Sequence, residues 1–303
     1  MHPAELAILL HRALEVRLAG LQGLLAAEGW AEDMEQLHQV RVSARRLGAV
    51  LDLVDPEAYP GHKGQRRALK RLVEILGLPR ELDVHADQLA RHRQAAAAPA
   101  QGAVLEHLLE RVDHARAKAR RAMREALEDL RLPDLRKLLE VPSLPEPFQR
   151  ASLQEAAWAC LEPRAEAALG DLAALAAQED TPALHKARVR IKKLRYAVEA
   201  LEGAFAAVPE APLQALRTLQ TALGEHHDLA ALEALLWEEE GRLRARDRAT
   251  LAAGVLELLG EVAEARRVAF GRFITAAGGL DPAAFAREVL PALGLPLPGA
   301  GPR

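Results

Sequence analysis

One stretch of this 303-residue chain occurs twice, in a single register. HQVRVSARRLGAVL, beginning at His38, aligns with HKARVRIKKLRYAV, beginning at His185, an offset of 147 residues. His38 matches His185, Arg41 matches Arg188, Arg45 matches Lys192, Arg46 matches Lys193 and Leu47 matches Leu194. The offset continues without a gap, because Leu69, Leu72, Leu76 and Gly77 fall on Leu216, Leu219, Leu223 and Gly224, and Glu81-Leu82 falls on Asp228-Leu229. A register held over such a span makes the chain a tandem duplication, so its fold must be built twice from one plan.

The repeated stretch reads as a helix with two functions. In the second copy Ala187, Ile191, Leu194, Val198 and Leu201 recur at helical spacing and form one apolar seam, which Val40, Ala44, Leu47, Leu51 and Val54 repeat in the first. At about 100° per residue, His185, Arg188, Lys192 and Arg195 share one arc away from that seam, and Lys186, Arg190 and Lys193 take the opposite flank. No acid stands between Asp180 and Glu199. Like charges at i, i+4 cost roughly 0.2–0.5 kcal/mol per pair, so an anion is expected against this helix.

Half of the chain is hydrophobic but aromatics are only 3%, which leaves Leu and Ala to do the packing and predicts an all-α fold. The net charge of −3 gives no global attraction to polyanions, so any such binding must come from charge segregated onto particular faces. Arg outnumbers Lys, which suits bidentate phosphate contacts. The single cysteine, Cys160, allows no intramolecular disulfide and no thiolate-rich metal site; it reads as a small buried residue of a protein kept in a reducing cytoplasm. The early acid and the His-Arg interruption near the N-terminus spoil a secretory signal, and no apolar run approaches the ~20 residues of a membrane span.

Periodicity predicts helices over 3–28 and 34–54, then a third helix, QRRALKRLVEILG, stopping at Gly77-Leu78-Pro79, and further helices over 83–98, N-capped by Asp83, and 104–130. Pro133, Pro142, Pro145 and Pro147 surround a short helical piece, DLRKLLE, and mark a linker that divides the chain into repeats 1–146 and 147–303. The second repeat is expected to form helices over 149–178, 183–203, 211–223, 228–247 and 249–277, with a short one near 282–293 before a Pro/Gly tail. The third-helix cations and the run from Arg116 to Arg124 either extend an anion site or form solvated faces.

Two copies of H-x-x-R-V-x-x-[RK]-[RK]-L, each followed by an apolar helix ending L-G and an acid before Leu, resemble the CHAD family of histidine-containing α-helical domains over nearly the whole chain. The resemblance implies two tandem pseudo-symmetric four-helix bundles packed around a basic central groove or pore. It also implies binding of inorganic polyphosphate and association with polyphosphate granules; many members are bacterial and cytoplasmic, and some are joined to a triphosphate-tunnel domain. Carried over residue by residue, the polyphosphate-facing positions are His38, Arg41, Arg45 and Arg46, and His185, Arg188, Lys192, Lys193, Arg195 and Tyr196, with Arg66, Lys70 and Arg71 expected to extend them. Gly48 and Ala49 stand where the second copy has Arg195 and Tyr196, the helix near 213–223 carries only Arg217, and Glu81 stands where the family usually has Asp. The two halves are therefore expected to contribute unequally.

Two other readings compete. His226-His227-Asp228 contains the adjacent His-Asp pair of helical metal-dependent phosphohydrolases, although the equivalent Pro79-Arg80-Glu81 cannot form such a site and Asp228 also reads as a helix N-cap after Gly224. A nucleic-acid backbone binder is disfavoured by the scarcity of aromatics, since single-strand binders supply stacking platforms and Tyr196 is the sole aromatic in either basic helix. Metal ligation by His38 or His185 is opposed by the arginine one turn away, and neither basic helix has an HxH or HxxxH pair. The sequence thus predicts a non-enzymatic polyphosphate binder with no cofactor or metal.

Overall fold

The computed structural model describes residues 4–57, 59, 61–96, 98–130 and 152–297. The proposed Pro-rich linker and its DLRKLLE piece lie outside the described residues, as does the tail beyond Leu297. Among the described residues the regular structure is all helical: α1 (Ala4–Ala26), α2 (Met34–Leu51), α3 (His62–Ile75), α4 (Gly77–Ala95), α5 (Pro99–Asp129), α6 (Leu153–Leu169), α7 (Leu172–Ala177), α8 (Thr181–Ala200), a 3₁₀ turn (Glu202–Ala204), α9 (Glu210–Arg244), α10 (Ala249–Ala277) and α11 (Pro282–Ala292). The 147-residue offset carries α1 onto α6, α2 onto α8, α5 onto α10, and α3 with α4 onto the single helix α9. No described helix is long and apolar enough to cross a membrane.

The basic helices begin alike because the same residue starts both. Asp33 accepts a hydrogen bond from the Gln36 amide at 2.7 Å, and its repeat equivalent Asp180 accepts from Ala183 at 3.1 Å, each satisfying a free N–H of the first turn.

Three expected boundaries move. The break foreseen between residues 223 and 228 is absent, and α9 runs straight through Gly224 and Asp228, so Asp228 is no N-cap. In the first repeat a break does occur, at Leu76, but α4 starts at Gly77 rather than at Asp83. Pro79 explains both facts: within a continuous helix it would clash with the carbonyl of residue 75, whereas in the first turn of a new helix its missing N–H costs nothing. His226 occupies the same repeat position and imposes no break. The expected helix over 149–178 is divided into α6 and α7 at Gly170-Asp171, two weak helix formers in succession.

Buried apolar side chains gather in two clusters, and both repeats contribute to each. The larger holds the α1 stripe from Leu6 to Leu21, the seams of α2 and α8, Leu69, Leu72, Leu216, Leu219 and the fully buried Phe273 and Phe285. The smaller joins the α4–α5 pair to the second half of α9 and the first half of α10, through Leu89, Leu105, Leu108, Leu232, Leu236 and Val255. At roughly 1.5–3 kcal/mol for each fully buried Leu, Ile or Phe, these shared cores hold the halves in fixed relation. The approach of α10 to α5 depends on a missing side chain, since a Cβ at Gly254 would lie 2.4 Å from Val104 Cγ2.

The arginine run on α5 is structural. Arg116 and Arg120 both donate to Asp83, which is completely buried on α4, and Arg120 also donates to the carbonyls of Ala31 and Glu32 in the turn before α2. Arg124 pairs with Glu32 at 2.8 Å. Asp83 is thus the hub tying α4, α5 and the entry to α2, and its removal would leave two half-buried guanidinium groups without their shared acid. Asp83→Ala is expected to lower the unfolding free energy in urea by about 3 kcal/mol. Asp113→Ala, which removes an exposed partner of the same Arg116, should cost under about 1 kcal/mol.

Candidate functional site

The seams of α2 and α8 are buried in the same cluster and the two helices pack against each other, so their cationic ridges are brought to one space. That space is a cleft of about 510 Å³ walled by α2, α4, α8 and α9. His38, Arg41 and Arg45 enter it from α2, and His185, Arg188, Lys192, Arg195 and Tyr196 from α8. A second pocket of about 310 Å³, between α2, α3 and α8, adjoins it and shares Arg45, His185, Arg188, Lys192 and Tyr196 as a common wall.

The remaining sequence-predicted residues are placed differently. Arg66, Lys70 and Lys193 line the second pocket, where Arg66 makes a two-pronged contact with Asp52 at 2.6 and 2.9 Å and Lys70 lies 3.7 Å from Glu74. Arg71 is exposed beside Glu74 and lines neither space. Arg46 lies on the α1 side of α2, 3.7 Å from Glu199 and 5.8 Å from the Tyr196 ring. Arg195 reaches the cleft but is occupied: it donates to Glu199 and Gln220 and stacks on Tyr196 at 4.6 Å. Arg41 and Arg188 each lie against a repeat-equivalent glycine, Gly77 and Gly224, at 3.8–3.9 Å from where a Cβ would stand.

The electrostatics of the cleft are one-sided. Among the described residues no acid lies within ion-pair distance of Arg41, Arg45 or Lys192, and Arg188 has only Asp228, at 3.9 Å. Burial, reinforced by Arg45, Arg188 and Arg80, lowers the Arg41 pKa to about 10; burial with Arg188, Arg45 and Arg41 brings Lys192 down to about 7. Burial lowers His38 and His185 as well, with neighbouring cations adding to the effect. Burial is the first cause at Arg41 and Lys192 and the neighbouring cations add to it, with only a partial offset from Glu81 at Arg41 and from Asp228 at Lys192. The buried Nε atoms of Arg41 and Arg188 have no hydrogen-bond partner.

Six further polar residues line the cleft: Arg80 and His227, which are repeat equivalents, and Glu81, His85, Gln220 and Asp228. The sequence singled out His227 and Asp228 among them, but for catalysis rather than for this cleft. The titratable character of positions 80 and 227 was visible in the alignment, but the expected loops hid the fact that both face the basic helices. His227 meets His185 through a 3.3 Å contact between their Nδ1 atoms, and burial with Arg188 and His185 lowers its pKa to about 4. His85 is 3% exposed and neither ring nitrogen has a partner.

The His226-His227-Asp228 set does not converge. His226 turns away into a buried contact with Glu179 at 2.7 Å, in a network completed by Arg266, while His227 and Asp228 face the cleft. The arrangement can grip a polyanion with arginine forks and ammonium charge from two opposed helices; among the described residues no group of three or more His, Cys, Asp or Glu is placed to hold a metal.

The comparisons agree with this architecture. No curated protein sequence matches the chain. Among solved structures, the CHAD domain from the plant Ricinus communis is similar with a TM-score of 0.60 at 24% identity, covering 95% of this chain and 92% of that one. PptA from Streptomyces chartreusis is similar with a TM-score of 0.65 at 20% identity, covering 91% of this chain and 99% of that one. The family model of the CHAD domain matches residues 12–237, most of the length, and the chain therefore belongs to the CHAD domain family.

Proposed function

We propose that the protein binds inorganic polyphosphate in the cleft between α2 and α8, without transforming it, and so attaches to polyphosphate granules in the cytoplasm. The observation that carries this reading is the set of half-buried cations from both repeats, Arg41, Arg45, Arg188 and Lys192, that share one space in which, among the described residues, only Arg188 has an acid within ion-pair distance, Asp228 at 3.9 Å. A condensed phosphate chain carries about one charge per unit and no base to be read, so paired rows of guanidinium and ammonium groups supply sufficient recognition. Membership of the CHAD family supports the same ligand class. The phosphohydrolase alternative loses support from the turn of His226 away from the cleft and into the interior, and the nucleic-acid alternative gains nothing from a cleft in which the one tyrosine is already stacked on Arg195.

Charge reversal tests the assignment. Arg188→Glu and Arg41→Glu should each weaken binding of long-chain polyphosphate by about 10- to 100-fold, the worth of one charge-assisted contact, while Arg71→Glu, outside both spaces, should change it less than about threefold. Fluorescence anisotropy at fixed salt would measure all three, and equal effects at Arg71 and Arg188 would refute the cleft. Duplex DNA added as competitor should displace polyphosphate only at much higher concentration than the reverse.

The depressed Lys192 pKa gives a signed pH dependence. With a pKa of about 7 the free protein holds Lys192 partly neutral, whereas bound phosphate favours the ammonium, so binding takes up a proton and tightens as pH falls from 8 to 6. His38 and His185, lowered in the free protein, act in the same direction. Unfolded lysine stays protonated to about 10.4, so the unfolded chain carries the extra proton above pH 7 and ligand-free stability should rise between about pH 7 and 10. Calorimetry in buffers of different ionisation enthalpy should detect the proton uptake, and Lys192→Arg should remove most of it while preserving affinity.

A further inference from the structure

The pocket beside the cleft has a chemistry that a phosphate chain does not use. Gly48, Ala49, Leu69 and Val73 form one side and Val189 and Tyr196 the other, an apolar lining that offers a fully charged polymer nothing. Asp52 and Glu74 line this pocket and not the cleft. Arg66, Lys70 and Lys193 line the pocket as well, Arg66 holding Asp52 and Lys70 lying 3.7 Å from Glu74, and the carboxylate lone pairs that these contacts leave over can accept hydrogen bonds from hydroxyl or amino groups. The wall shared with the cleft is cationic, consisting of Arg45, Arg188 and Lys192 with His185.

The pocket exists because the repeats diverged. Gly48 and Ala49 occupy the positions that Arg195 and Tyr196 fill in the second copy, so α2 presents backbone and a methyl group where α8 presents a guanidinium and a ring. Space is thus opened on one side of the α2–α8 crossing only, directly against the phosphate-binding wall. Its volume of about 310 Å³ falls at the lower end of the roughly 300–1,000 Å³ typical of small-molecule sites.

A ligand that satisfies all of these surfaces has an apolar body, hydrogen-bond donors at its edge and a polyanionic tail. We propose that the pocket receives the nucleoside of a nucleoside 5′-polyphosphate whose phosphates lie in the cationic cleft. This rests on the anion-binding reading of the cleft and adds to it a second, smaller ligand class. Nucleotide and inorganic polymer then compete for Arg188 and Lys192, while only the nucleotide touches Ala49 and Val189.

Titration calorimetry of the full chain, in the absence of magnesium, with adenosine 5′-triphosphate and with inorganic tripolyphosphate provides the test. The nucleotide carries less charge, so charge alone makes it the weaker ligand. The proposal expects it to bind about tenfold or more tightly than tripolyphosphate, through the apolar area buried in the pocket. Ala49→Leu, which fills the pocket, and Val189→Ser, an exposed position whose change spares the core, should each erase that advantage and leave tripolyphosphate binding within about twofold. Arg188→Glu should weaken both ligands. Equal or weaker nucleotide binding, or an advantage unmoved by both pocket variants, overturns the nucleoside assignment and leaves the cleft intact. Failure of both ligands to bind the wild-type chain overturns the cleft reading and this inference with it.

Discussion

Everything distinctive in this fold follows from forcing two like-charged helix faces together. Burial lowers the proton affinity of Arg41, Arg45, Arg188 and Lys192, and at Arg41, Arg45 and Lys192 cations across the α2–α8 contact add to it; at the effective dielectric of a partly wet cleft each close pair repels by up to a few kcal/mol. Apolar burial on the opposite faces overcomes this. Val40, Leu47, Ile191 and Leu194 are fully buried in one cluster, and a helix anchored by such a seam cannot rotate its cations away without exposing it. The repulsion is therefore retained in the folded protein, and the seam that drives folding is also what holds the cations together.

Acids are distributed so as to leave that repulsion in place. Asp52 and Glu199 are repeat equivalents lying just beyond the ridge on each basic helix, and each captures arginines that would otherwise extend it, Arg66 in one case and Arg46 and Arg195 in the other. Farther out, Asp83 and Glu32 take up Arg116, Arg120 and Arg124. These arginines away from the cleft are thus paired and serve as struts. With a net charge near zero, the positive character of the cleft comes from where its cations outnumber its acids, Glu81 and Asp228.

This sorting marks how far the sequence could be read. The duplication, the seams and the angular position of His38, Arg41, Arg45, His185, Arg188 and Lys192 were legible because helical periodicity is local and the offset tests it twice. Pairing is not local: Arg116 and Asp83 are 33 residues apart, and no spacing rule joins them. Pro79 and Gly224 misled in opposite directions. A proline that looked like the end of a helix lies within the first turn of the next, and a glycine followed by histidines that looked like a loop lies within one long helix. Arg80 and His227 were consequently missed as parts of the cleft, since a helix presents them to α2 and α8 where a loop would not.

Duplication also explains why the site is asymmetric without being misaligned. Because both repeats contribute to each apolar cluster, the backbones of α2 and α8 are fixed by packing that neither copy can change alone, and the equivalent arginines stay opposed. Residues facing the cleft bear little of that packing and are free to diverge. Gly48 and Ala49 against Arg195 and Tyr196 is such a divergence: in the second copy the ridge ends in a tyrosine flanked by Arg195 and Arg46, with Gln220 and Glu199 completing the arginine's partners, while in the first it ends in an opening. A symmetric pair of ridges would hold a phosphate chain equally well in either direction. A guanidinium stacked on a ring at the end of one ridge and a glycine with a methyl group at the end of the other make the two ends of the groove chemically different.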